Sequence, residues 1–128
     1  MKHQFLLLSC FLLICLNTSC EKASQVHLMS ANTWVVTEVS SLSNFAKVGD
    51  ELTFLDNRLF FKFSNGLETD GKWDFSAPGR GRANGLSLSS DVNLGFGFYY
   101  FAVNELTDKK LDITDVASSF TIHLKAKE

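Results

Sequence analysis

From Thr33 to the C-terminus, apolar and polar residues alternate with a period of two, in short segments broken by turn-forming residues. That pattern constrains the fold more than any other feature, because successive side chains of a strand point to opposite faces of a sheet. "TWVVTEV" is rich in β-branched residues, which favour strands. "ELTFLD" places Leu52 and Phe54 on one face, and Asp56 and Asn57 then supply a tight turn. "RLFFKFS" sets Leu59, Phe61 and Phe63 against Arg58, Phe60 and Lys62, and "SNG" closes it at Ser64 to Gly66. "ETDGKWDFS" groups Gly71, Trp73 and Phe75. After the loop "APGRGRANG" come "LSLSS", a long apolar stretch toward Leu106, the turn "TDKK", "LDITD", and "SFTIHLKAK" with Phe120, Ile122, Leu124 and Ala126 on one face.

This is an all-β chain of about eight strands joined by short turns, and no long helical pattern interrupts it. An antiparallel meander of that kind removes its exposed edges by closing into a barrel. Eight strands leave an interior that side chains just fill, or that holds one small ligand. A transmembrane barrel is disfavoured: several segments fall short of the roughly 9–11 residues such a strand needs, and the turns are short at both ends.

One stretch resists the simple alternation. In "LGFGFYYFAV", Phe96, Phe98 and Tyr100 share one face, and Tyr99, Phe101 and Val103 share the other. The first set is expected to face the barrel interior. The second is expected on the outer wall, where exposed aromatics mark interfaces. Gly95 and Gly97 permit a bulge or a sharp coil at its start.

The N-terminus follows a different logic. "MKHQ" is a short basic start, and the apolar run Phe5 to Leu16 ends in the small polar residues Asn17, Thr18 and Ser19. This is the layout of a secretory signal peptide. A retained anchor helix is the alternative, but the run falls short of the roughly 20 residues a spanning helix requires. "LNTSCEK" resembles a bacterial lipoprotein signal, in which a Cys follows small residues just after the apolar run. On that resemblance residues 1–19 are the signal peptide, Cys20 is the mature N-terminus and carries lipid, including a palmitate-type chain, and the protein is held in the cell envelope, at the outer membrane. Cys10 and Cys15 then leave with the signal, and no disulfide remains within the mature chain. Residues 20–32 form a lipid-anchored tether that spans at most about 40 Å if extended; alternatively Val26, Leu28 and Met29 form a short helical turn against the domain of residues 33–128.

With Lys2 removed, eleven basic residues face fourteen acidic ones, a formal charge of −3, and no basic block is present. Nucleic-acid binding is therefore not expected, since phosphate contacts need clustered Lys and Arg.

At the level of the domain, Trp34, the "LTF" segment paired with a Phe-rich one, the Gly71-x-Trp73 element and the late "LTDKKLDI" from Leu106 to Ile113 together resemble the lipocalin-like domains of small bacterial lipoproteins. The resemblance implies a lipocalin-like β-barrel and brings no catalytic residue with it.

Nor do the residues assemble a catalytic set. His27 lies in the tether and His123 on the polar face of the last strand, too few for a zinc site. Asp70 and Asp74 share a strand parity, but acid–base work also demands a cleft and a raised pKa. Arg80 and Arg82 flank Gly81 in a loop that could contact an anion. No enzyme activity and no cofactor or metal are expected. Two functions are. In the first, a barrel lined by Phe54, Phe61, Phe63, Trp73, Phe75, Phe98, Tyr100 and Phe120 takes a small hydrophobic ligand. Leu42, Phe45 and Val48 then form a lid over its mouth, or else a plug inside it. In the second, the outer face of Tyr99, Phe101 and Val103 binds a protein partner or a second copy, and no ligand cavity exists.

Overall fold

The computed structural model describes residues 24–41, 45–76, 85–90 and 98–128. The strands are β1 (Thr33–Val39), β2 (Glu51–Leu55), β3 (Arg58–Lys62), β4 (Glu68–Ser76), β5 (Gly85–Ser90), β6 (Phe98–Leu106), β7 (Lys110–Asp115) and β8 (Thr121–Ala126). Each pairs antiparallel with the next, and β8 pairs with β1, so the sheet closes into a barrel in simple meander order.

The alternation read from the sequence decides which side chains enter. Leu52 pairs with Phe61 and Phe54 with Leu59 across β2 and β3, and all four are buried. Trp73 and Phe75 of β4 oppose Leu88 and Leu86 of β5, and Leu111 and Ile113 of β7 oppose Leu124 and Ile122 of β8. On the wet face, directly opposed threonines bond through their hydroxyls, Thr33 with Thr53 at 2.9 Å and Thr114 with Thr121 at 3.0 Å. Such cross-strand pairs hold the register from outside, while burial of the opposite faces holds it from within.

Closure requires bending. The register of β1 on β8 shifts between Val36 and Glu38, and that of β6 on β7 between Val103 and Glu105. Bulges of this kind increase local twist and curve the wall. The pairing of β6 with β5 corrects the expectation for its two faces. Tyr99 and Phe101 pair with the inward Leu88 and Leu86, so Phe101 is fully buried, Val103 is buried and Tyr99 is half-buried. Phe98 and Tyr100 pair with Ser89 and Ser87 and face solvent. The two faces are therefore the reverse of the sequence reading. Asn104 shares the parity of Phe98 and Tyr100, and a polar residue in that set belongs outside. The bulge after Val103 then returns Leu106 to the core side.

The two ends of the barrel are closed differently. Residues 24–30 form a short helix, α1, so this part of the expected tether adopts the helical alternative and belongs to the domain. Met29 is fully buried, and its carbonyl accepts the Trp34 indole N–H at 2.9 Å. Asn32 donates to the Asp108 carbonyl at 3.0 Å, tying the helix exit to the β6–β7 turn. At the opposite end the β1–β2 connection folds inward and buries Phe45 and Ala46. Asp50, also buried, accepts the Lys47 and Ser64 backbone N–H groups, each at 2.8 Å, and so clips that connection to the β3–β4 turn. Asp115 makes a similar clasp, accepting from the backbone N–H and hydroxyl of Ser118.

Candidate functional site

The interior was expected to be lined by aromatic residues, and the structure joins most of them into one packed cluster. Phe45 lies edge-on to Phe61 (5.4 Å between centroids, 84°) and contacts Tyr99 at 4.8 Å and Phe101 at 5.2 Å. Phe101 meets Phe120 edge-on at 6.0 Å, and Phe61 meets Phe63 at 4.7 Å. Deeper toward α1, Phe54 and Trp73 make an edge contact at 5.2 Å. Tilted and T-shaped geometries are the ones aromatic quadrupoles favour, adding about 0.5–1.5 kcal/mol per pair beyond area burial.

Of the expected ligand-lining set, Phe54, Phe61, Trp73, Phe75 and Phe120 are buried and Phe63 is partly buried. Phe98 and Tyr100 are corrected: they are 69% and 42% exposed on the outer wall. The expected outer set of Tyr99, Phe101 and Val103 is corrected too, since these residues pack within the core. For the loop set, Phe45 is only 2% exposed and occupies the barrel end as a plug, whereas Val48 points to solvent at 61% exposure. Leu42, Arg80, Arg82 and Cys20 lie outside the described residues, as does Phe96.

Two buried side-chain polar atoms are without a partner among the described residues. The Trp73 indole N–H is buried and unbonded, as is the side-chain oxygen of Gln25 on α1. Buried donors in folded proteins are nearly always satisfied, so an unsatisfied one marks a place where an acceptor would be stabilised.

The outer wall carries the remaining features. Phe98 and Tyr100 stand on β6, and the backbone N–H of the exposed Val116 bonds to the Tyr100 carbonyl at 3.1 Å. The three form an exposed apolar patch at the end closed by Phe45. The Tyr100 ring lies back across β5 over Gly85, and a Cβ added there would sit 2.0 Å from the Tyr100 hydroxyl oxygen. Only glycine lets the ring lie this close to the sheet, which keeps Tyr100 partly covered while Phe98 projects.

The polar residues named for chemistry are dispersed. Asp70 and Asp74 do share the outer face of β4. Asp70 is ion-paired with Arg58, however, and Asp74 accepts the Phe75 N–H at 2.9 Å. His123 meets Asp112 at 2.8 Å beside a groove of about 360 Å³ that also presents Thr37, Glu38, Lys110 and Lys125. A second groove, of about 270 Å³, runs along the wall between the Glu51–Lys127 ion pair and Phe60. A third cleft, at the rim, is bounded by Phe45, Asp50 and Phe63. Among the described residues no group of three or more His, Cys, Asp or Glu side chains is arranged to hold a metal ion, and no helix is long and apolar enough to cross a membrane. Comparison with protein-family models, with curated proteins and with solved structures finds no match.

Proposed function

We propose that this protein is a lipid-anchored module of the cell envelope, held at the outer membrane through Cys20, that works through its outer wall as an interaction or assembly module. The anchor rests on the "LNTSCEK" sequence, and the working surface on one contrast. The interior aromatics are packed against each other behind Phe45, while Phe98, the residue expected to line that interior, projects into water beside Tyr100 and Val116. Large apolar side chains that cluster on a surface gain most when a partner covers them. The lipocalin-like resemblance is retained for the architecture, and no catalytic role is assigned. Replacing Phe98 and Tyr100 together by Ser is expected to abolish association, whether with itself in sedimentation or with an envelope protein in cross-linking, without lowering the melting temperature. Association unchanged in this variant would overturn the reading.

A second reading has one observation in its favour. The unbonded Trp73 N–H would donate to a ligand oxygen, so a small apolar molecule with one polar end could enter if Phe45 swung out. Saturable quenching of tryptophan by such a molecule, enhanced in Phe45→Ala, is what this reading requires.

A further inference from the structure

The reading of Cys20 as a lipid-bearing residue has a geometric consequence, and the inference below rests on that reading. Only Glu21, Lys22 and Ala23 separate Cys20 from the first residue of α1. Fully extended, that link reaches about 14 Å. The helix cannot lengthen it cheaply, because Met29 is fully buried and its carbonyl is bonded to Trp34, and pulling it out would leave a cavity in the core. The barrel therefore cannot stand off from the bilayer.

We propose that the barrel end closed by α1 is a docking surface for anionic lipid headgroups, with Lys109, Lys110 and Lys125 as its contacts. Chain direction puts the β6–β7 turn and the end of β8 at this end, and two hydrogen bonds fasten them there: Asn32 to the Asp108 carbonyl at 3.0 Å, and the Ala126 N–H to the Lys109 carbonyl at 3.0 Å. Lys110 and Lys125 are direct cross-strand partners, both exposed on the outer wall. Like charges in that position repel, and an interposed phosphate converts the repulsion into attraction. Of the neighbouring acids, Asp112 pairs with His123 and Glu51 with Lys127, while Glu38, Glu105, Asp108 and Glu128 are exposed. Among the described residues neither Lys110 nor Lys125 is in an ion pair. The patch of Phe98, Tyr100 and Val116 then lies at the opposite end, turned away from the membrane and open to a protein partner.

The test uses the acylated full chain reconstituted in phosphatidylcholine vesicles, with and without phosphatidylglycerol, carrying a fluorophore on Asp108→Cys or on Ala117→Cys. A headgroup-attached nitroxide lipid is the quencher. Quenching at position 108 is expected to exceed that at 117 several-fold, to rise with phosphatidylglycerol, and to lose that rise in the Lys110→Glu/Lys125→Glu double variant. Equal quenching at both positions, or stronger quenching at 117, overturns the orientation, the latter by seating the apolar patch in the bilayer. A rise that survives the double variant overturns the lysine assignment. Vesicle flotation separates the underlying reading: wild type that floats no better than Cys20→Ala removes the anchor and the orientation together, whereas Cys20-dependent flotation with quenching at 117 leaves the anchor standing and removes only the orientation.

Discussion

The carboxylate of Asp50 accepts the backbone N–H of Ser64 at 2.8 Å, and through that bond the inward fold of the β1–β2 connection is fastened to the β3–β4 turn. Its other oxygen holds the Lys47 N–H at 2.8 Å, so the buried charge is bonded on both sides. Asp50→Ala leaves two N–H groups without partners. Hydrogen bonds to a charged group are worth about 1.5–3 kcal/mol each, and a loss of at least about 2 kcal/mol in denaturant unfolding is expected. Asp50→Asn keeps one acceptor and should lose less.

Phe45 is what Asp50 holds in place. Its ring contacts Phe61 of β3 and Tyr99 and Phe101 of β6. Phe45→Ala should cost about 3–5 kcal/mol through lost burial and the cavity left behind. Phe45→Leu should recover much of that. A small effect, within about 1 kcal/mol, would show that the connection lies over the barrel without entering it.

The β6 strand offers a paired test. Phe101 is fully buried and Phe98 is 69% exposed, three residues apart. Phe101→Ser should unfold the domain or lower its stability by about 3–5 kcal/mol, while Phe98→Ser should stay within about 0.5 kcal/mol. Equal effects would mean that β6 is not fixed in this register.

Ser119 holds a left-handed φ of 62° in the β7–β8 turn. A side chain there is strained, and glycine is not. Because its backbone N–H bonds to the Asp115 carbonyl at 2.9 Å, the turn survives the substitution. Ser119→Gly should raise stability by about 0.5–1 kcal/mol, read as a higher melting temperature.

The barrel was legible in the sequence because β4, β5, β7 and β8 alternate cleanly, and β1, β2 and β3 depart from alternation on the outer parity at Val35, Val39, Leu55 and Phe60. β6 was not, for a physical reason: all of its first six residues are aromatic or apolar, on both parities, so the pattern itself carries no preference. Its face was set by neighbours, through Leu86 and Leu88 of β5, and the one local clue was Asn104. The role of Phe45 was half visible. An apolar residue in a polar connection has to bury itself somewhere, but whether it covers or fills the barrel depends on the Asp50 clasp, and an Asp near a Gly reads from sequence as an ordinary turn. Residues 24–30 were likewise open between tether and helix, because seven residues are too few for helical periodicity to declare itself without the Met29 pocket.

The central claim is that the interior is occupied by the protein's own side chains and that partners meet the outer wall. Titration of the purified protein with a long-chain fatty acid, followed through the fluorescence of Trp34 and Trp73, tests it most directly. The account predicts no saturable change in wild type, because Phe45 and its neighbours already fill the space. A saturable one-to-one response in wild type that disappears in Trp73→Phe would contradict it and place the function inside the barrel.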